Sequence, residues 1–179
     1  GYELEAAWVW ERQALVRTRG VAGDVALTAS LDALRSEVLG LPRDKTALAS
    51  AVCGMRGRMR TEHTAASNQA VDFDLKRDPG GIVDIEFVVQ YLVLAHASDD
   101  DALSQWSDVV RLLDALANAD LISSDDAATL TDAYLSYRSY IHTLALQGSA
   151  AIDSAGRFEA VRTRVTDVTE TLLPGLQTG

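Results

Sequence analysis

Val71-Asp72-Phe73-Asp74-Leu75-Lys76-Arg77-Asp78-Pro79-Gly80-Gly81-Ile82-Val83-Asp84-Ile85-Glu86-Phe87-Val88-Val89-Gln90-Tyr91-Leu92 changes its period twice. Over residues 71–76 apolar and polar side chains alternate, the period of a half-buried strand. Asp78-Pro79-Gly80-Gly81 then turns the chain, since proline presets one backbone angle and glycine tolerates unusual ones. Residues 82–97 are apolar almost all round, interrupted by Asp84, Glu86 and Gln90. A helix without a polar face is stable only when neighbours cover it on every side. The stretch therefore predicts a central buried helix, entered through one short strand-like segment.

The covering helices are visible on either side. Leu27, Leu31, Leu34, Val38 and Leu41 step by four, three, four and three. Leu48, Val52, Met55 and Met59 repeat that pattern, as do Leu130, Tyr134, Tyr137, Ile141 and Leu144, and Phe158, Val161, Val165, Val168 and Leu172. Each set draws one apolar stripe on a helix. Residues 2–19, with Trp8 and Trp10, and residues 107–119, with Val109, Leu112, Leu113 and Leu116, read as two more. Asp24, Asp44 and Ser123 or Ser124 stand where side-chain oxygens cap free amides at a helix start. Gly40, Pro42, Gly148 and Pro174-Gly175 stand where helices stop. The expectation is an all-α fold, one helical domain over residues 1–179 built as a bundle of six or seven helices. Residues 63–70 and 98–106 are expected to be its flexible loops.

Composition narrows the function classes. Hydrophobic residues are 47% and charged residues 23%, enough apolar surface to exclude disorder as the main state. No apolar run approaches the roughly 18–20 residues of a membrane span, and the longest, residues 87–95, contains Gln90. No charged-then-apolar leader is visible, so a cytoplasmic location is expected. The start at Gly1 without methionine suggests a piece of a longer chain. Cys53 is the single cysteine and cannot form an internal disulfide. The net charge is −10, distributed as +1 over residues 1–62 and −11 over residues 63–179. Such acidity disfavours nucleic acid and anionic membrane as partners.

The candidate site residues cluster around the turn: Lys76, Gly80, Gly81, Asp84, Glu86 and Gln90. Two glycines at a helix start can free backbone amides for an anion, and the helix dipole favours one there. The simpler alternative is that Gly80 and Gly81 only make the turn, Asp84 caps the helix, and Glu86 and Gln90 pair inside the bundle. Asp72 and Asp74 alternate like metal-binding carboxylates, but no Gly-Ser phosphate turn precedes them, so they are not read as a metal site. Arg138 and His142 share a helix face beside Tyr134 and Tyr137. They read either as a polar site facing a ligand or neighbouring domain, or as a buried hydrogen-bonded pair. His63 and His96 lack partners at zinc-ligand spacing. Arg56, Arg58 and Arg60 read as a solvated helix face.

The stretch from Lys76 to Leu92 resembles the signature of glutamine synthetase adenylyltransferases: Lys, a short spacer, Gly-Gly-Ile-x-Asp-Ile-Glu-Phe, two residues, then Gln. Ala7-Trp8-Val9-Trp10-Glu11-Arg12-Gln13-Ala14-Leu15-Val16-Arg17-Thr18-Arg19, followed by Val21-Ala22-Gly23-Asp24, is similar to the segment after that family's catalytic core. Leu41-Pro42-Arg43-Asp44, Met55-Arg56 and residues 138–147 also fit, so the likeness covers roughly residues 2–173. Arg77-Asp78-Pro79 departs from the shorter, glycine-richer spacer of the family.

The resemblance implies a helical domain that follows a nucleotidyltransferase core in a bifunctional enzyme of nitrogen control. Trp106-Ser107-Asp108 and Pro42-Arg43-Asp44 look more like the C-terminal, adenylylating half. One half of such an enzyme moves AMP from ATP onto a tyrosine of glutamine synthetase, and the other removes it by phosphorolysis. Implied partners are the upstream nucleotidyltransferase domain, glutamine synthetase and a PII-type signal protein. ATP and magnesium are expected for the parent, and no cofactor and no catalytic residue for this chain. Two rivals stand: a free-standing helical adaptor, and the related helical domain of a PII uridylyltransferase.

Overall fold

The computed structural model describes residues 9–66 and 72–177. Among them are seven α-helices: α1 (Val9–Val16), α2 (Val25–Leu39), α3 (Lys45–Ala66), α4 (Ile82–His96), α5 (Val109–Asn118), α6 (Ser124–Leu146) and α7 (Glu159–Leu172). Two-residue strands β1 (Phe73–Asp74) and β2 (Ile152–Asp153) pair antiparallel, with Phe73 opposite Asp153 and Asp74 opposite Ile152. The fold is mainly α, as the stripes imply. No helix among the described residues is long and apolar enough to cross a membrane.

Local signals place the helix ends. The Asp24 carboxylate accepts from the Ala26 and Leu27 amides at 2.7 and 3.1 Å, and Asp44 from Thr46 and Ala47 at 2.9 and 3.0 Å. Ser123 accepts from the Asp126 amide at 3.0 Å and donates to its carboxylate at 2.7 Å. Each cap satisfies donors that the helix itself leaves open. The part of the first predicted helix over residues 2–8 lies outside the described residues.

Contacts divide the chain into two compact units, residues 1–52 with 89–122 and residues 53–88 with 123–179. In the first unit Val16, Val38, Leu39, Leu92, Val93, Leu103, Leu112, Leu113 and Leu116 are buried. Arg35 is buried with them and donates to four main-chain carbonyls: Leu15 at 2.9 Å, Val16 at 2.7 Å, Trp106 at 2.6 Å, and Ser104. Arg43 caps the end of α2 through the carbonyls of Val38, Leu39 and Leu41, at 2.5–2.8 Å. Burial and neighbouring Arg12 pull the Arg43 pKa down to about 10.

The second unit is built on Leu75, Ile82, Ile85, Val88, Leu130, Tyr134, Tyr137, Phe158, Val165, Leu173 and Leu176. Tyr137 meets Phe73 and Phe158 edge-on, at ring-centroid distances of 5.9 and 5.2 Å. Burial raises the Tyr137 pKa.

Three expectations are corrected. Of the expected strand over residues 71–76, residue 71 lies outside the described residues and the rest shrinks to Phe73–Asp74, because its partner β2 is equally short and Leu75 and Lys76 already belong to the turn. Residues 98–106 are not a loose loop: Asp101–Ser104 form a 3-10 helix capped by Asp100, with Leu103 fully buried. The stripes on α2 and α3 are only partly covered, since Leu27 and Leu34 are exposed and Met59 partly so.

Candidate functional site

The sequence candidates at the turn belong to a buried polar knot in the second unit. Asp84 is wholly inaccessible to solvent, in the first turn of α4. Its Oδ1 accepts from Arg56 Nε at 2.5 Å and from Arg60 Nη2 at 3.3 Å. Its Oδ2 accepts from the Gly80 amide at 2.8 Å and from Gln177 Nε2 at 3.0 Å. A buried carboxylate is tolerable only when its oxygens are paired and hydrogen-bonded, and here four groups do so. Arg56 also donates to the Arg77 carbonyl at 2.6 Å. Burial holds the Arg56 pKa below its usual value, and the Asp84 charge offsets only part of that. The knot joins α3, the turn, α4 and the residues after α7.

Arg56 and Arg60 are therefore not a solvated face, as the sequence reading had it; Arg58, between them, is exposed. The signal existed. An acid inside a helix that is apolar all round needs a buried cation, and Arg56 and Arg60 sit four apart on one face. Gln177 carried no such signal.

The glycines are held by packing. Gly80 has φ +81°, and a Cβ there would lie 2.7 Å from the Arg162 carbonyl and from Thr166 Oγ1. A Cβ on Gly81 would lie 2.8 Å from the Leu75 carbonyl. The amides at this helix start are engaged: Gly80 with Asp84, Gly81 with the Asp78 carbonyl, Ile82 with Leu75, and Val83 with Lys76. Side chains rather than main-chain donors are what the turn presents outward. Asp74 accepts from the Lys76 and Arg77 amides at 2.8 and 3.1 Å, and Asp78 from the Asp74 amide at 2.8 Å. His63 Nε2 stands 3.6 Å from both of those carboxylates.

Lys76 is exposed, and among the described residues its ammonium has no ion-pair partner. It borders a groove of about 390 Å³ lined by Arg56, Met59, Glu62, His63, Arg77 and Val83. Glu86 accepts from the Tyr134 hydroxyl at 3.4 Å. In the first unit, buried Gln90 accepts from Gln13 Nε2 at 3.1 Å. Both residues thus find partners within the fold, as the simpler alternative had it. Arg138 and His142 are exposed and do not form a buried pair; Arg138 lies over the Tyr134 ring at 5.5 Å. Among the described residues no group of three His, Cys, Asp or Glu side chains is disposed to hold a metal ion, and one oxygen each of Asp74 and Asp78 already accepts main-chain amides.

The family model described as GlnD PII-uridylyltransferase matches residues 54–154. A bifunctional glutamine synthetase adenylyltransferase/adenylyl-removing enzyme of Pseudomonas aeruginosa is 45% identical over 174 residues, covering 92% of this chain and 18% of the relative. An enzyme of the same name from Thioalkalivibrio sulfidiphilus is 45% identical over 164 residues, covering 92% of this chain and 17% of the relative. The chain spans less than a fifth of the length of these curated relatives.

Proposed function

The chain belongs to the family described as GlnD PII-uridylyltransferase, and from that premise we propose that it is a helical domain of a bifunctional glutamine synthetase adenylyltransferase/adenylyl-removing enzyme. The observation that carries this reading is the 45% identity, extending over 92% of the chain, to enzymes of that name. The domain supports catalysis without performing it. Its parent, a cytoplasmic nucleotidyltransferase using ATP and magnesium, transfers AMP to glutamine synthetase under control of a PII-type protein.

The geometry supports a positioning role. The Asp84 knot and the two packed glycines fix the turn, so Lys76 projects from a rigid base. We assign Lys76 to the face that meets the upstream nucleotidyltransferase domain, where its charge lies near phosphate or an acidic neighbour. Gly80, Gly81, Asp84 and Glu86 hold that face, Gln90 anchors the far part of α4, and Arg138 and His142 offer a second surface.

The test compares the 179-residue chain with a form extended upstream through the preceding domain. Each is incubated with ATP, magnesium and glutamine synthetase. AMP transfer by the extended form alone is expected. Transfer by the 179-residue chain overturns the supporting role. The match over residues 54–154 favours a second reading, a PII uridylyltransferase domain. UMP transfer to a PII-type protein by the extended form, without AMP transfer, establishes that reading instead. Neither transfer by the extended form leaves the adaptor.

A further inference from the structure

Leu135, Arg138, His142 and Leu146 follow one another at three-, four- and four-residue steps along α6. At 3.6 residues per turn they share one stripe about 16 Å long. Leu135 is 51% and Leu146 77% exposed, and Arg138 and His142 are exposed between them. Among the described residues neither of these two has an ion-pair partner. Beside the stripe runs a groove of about 820 Å³, whose lining includes Leu135, Tyr140, Leu144 and Arg157. Arg157 is exposed and stacks over the Tyr140 ring at 4.8 Å.

Charge distinguishes this surface from the rest of the chain. The protein holds 26 acidic residues, yet residues 133–152 contain none. Asp153, which ends that window, is buried and accepts from the Phe158 amide at 2.9 Å. The exposed stripe and its groove thus combine leucines with arginines that have no ion-pair partner among the described residues, on a molecule of net charge −10.

We propose that this ridge and groove on α6 dock an acidic, leucine-anchored helical segment of a partner protein. Exposed leucines at both ends of the stripe give apolar anchors, the mode in which a helix lies along a groove. Arg138 and Arg157 meet its carboxylates and select against basic segments. A small phosphate would use the cations and leave the leucines wet, so the apolar ends favour a protein segment over a free anion. This surface is independent of Lys76 and of the enzyme assignment, and its failure leaves both standing.

The test uses the 179-residue chain and an acidic amphipathic peptide of about 18 residues, with leucines on one face and glutamates on the other. The same peptide with lysine for glutamate is the control. The acidic peptide is expected to bind at least about tenfold more tightly than the basic one, and less tightly at high salt. Its amide shift changes should map to residues 135–147 and 157. Arg138→Glu and Leu146→Ser should each weaken binding about tenfold or more with melting unchanged, since both side chains are exposed. Absence of binding, equal binding of the two peptides, or shift changes elsewhere overturns the proposal. So does loss of the peptide signal on adding inorganic phosphate at constant ionic strength, which assigns the ridge to a small anion. Self-association of the chain that Arg138→Glu abolishes assigns it to a second copy instead.

Discussion

Arg56 and Asp84 form a fully buried ion pair, Nε to Oδ1 at 2.5 Å, across 28 positions of sequence. The pair lies under the turn that carries Lys76; removing Asp84 takes the counter-ion from buried Arg56, and removing Arg56 leaves Asp84 with Arg60 alone. Asp84→Leu strands two arginines and frees the Gly80 amide. It is expected to destabilise the chain by about 3–5 kcal/mol. Urea unfolding followed by circular dichroism measures this, and a loss below about 1 kcal/mol would show that water relieves the knot.

Gly80 and Gly148 separate two costs of replacing glycine. Both have positive φ, +81° and +69°, but a Cβ at Gly148 meets nothing within 4 Å. Gly148→Ala should cost about 1 kcal/mol, the conformational part. Gly80→Ala adds a clash with the Arg162 carbonyl and should cost clearly more. Equal melting temperatures for the two variants would show that α7 moves aside freely.

Lys76→Ala should change the stability of the chain by less than about 0.5 kcal/mol, because the side chain is exposed. In the parent enzyme it should slow adenylylation about ten- to a hundredfold, a loss of about 1.4–2.7 kcal/mol. Melting and turnover are measured on the same variant. A sharp drop in melting with unchanged turnover per folded molecule makes Lys76 structural.

Arg35→Ala removes the donor for four carbonyls at once and should destabilise by about 2–4 kcal/mol. Arg35→Lys should recover only part, since an ammonium lacks the planar fork that spans α1 and residues 104–106. Chemical denaturation of the three proteins tests the order. Full recovery by lysine would reduce the role of Arg35 to charge alone.

His96 links stability to pH. Lys45 Nζ donates to His96 Nδ1 at 3.1 Å, which requires the unprotonated ring. Burial and then the Lys45 charge lower the His96 pKa below its usual 6.5. The unfolded chain therefore takes up this proton first, so the contribution of His96 is complete above the unfolded value and falls as pH drops toward the folded one. Stability should decline less steeply between about pH 7 and 5 in His96→Gln than in the unaltered chain. Identical slopes would remove His96 from the linkage.

Asp24, Asp44 and Ser123 lie within a turn of the amides they cap, and the stripes of α5 and α6 are read from spacing alone. An all-round apolar α4 likewise announces its own burial. These features depend on residues a few positions apart and are legible in the sequence. The chemistry of the turn was legible only in part. Gly80 and Gly81 stood out as a helix start that could receive an anion, but the amides there are engaged within the fold. What holds Gly80 is α7, which no pattern near residue 80 contains, whereas Gly81 packs on the Leu75 and Asp78 carbonyls of the turn itself.

The packing of distant elements selects which of the α3 arginines answers the acid of α4. Arg56 and Arg58 are two positions apart and alike in type, yet Arg56 is buried on Asp84 while Arg58 is exposed. It also decided that Phe73–Asp74 pair with Ile152–Asp153, that Gln177 reaches Asp84, and that Leu27 and Leu34 stay uncovered. A side chain's burial is set by the elements that arrive against it, and those come from distant parts of the chain. Helical periodicity marks the apolar side of a helix; it carries no information about what covers that side, or whether anything does.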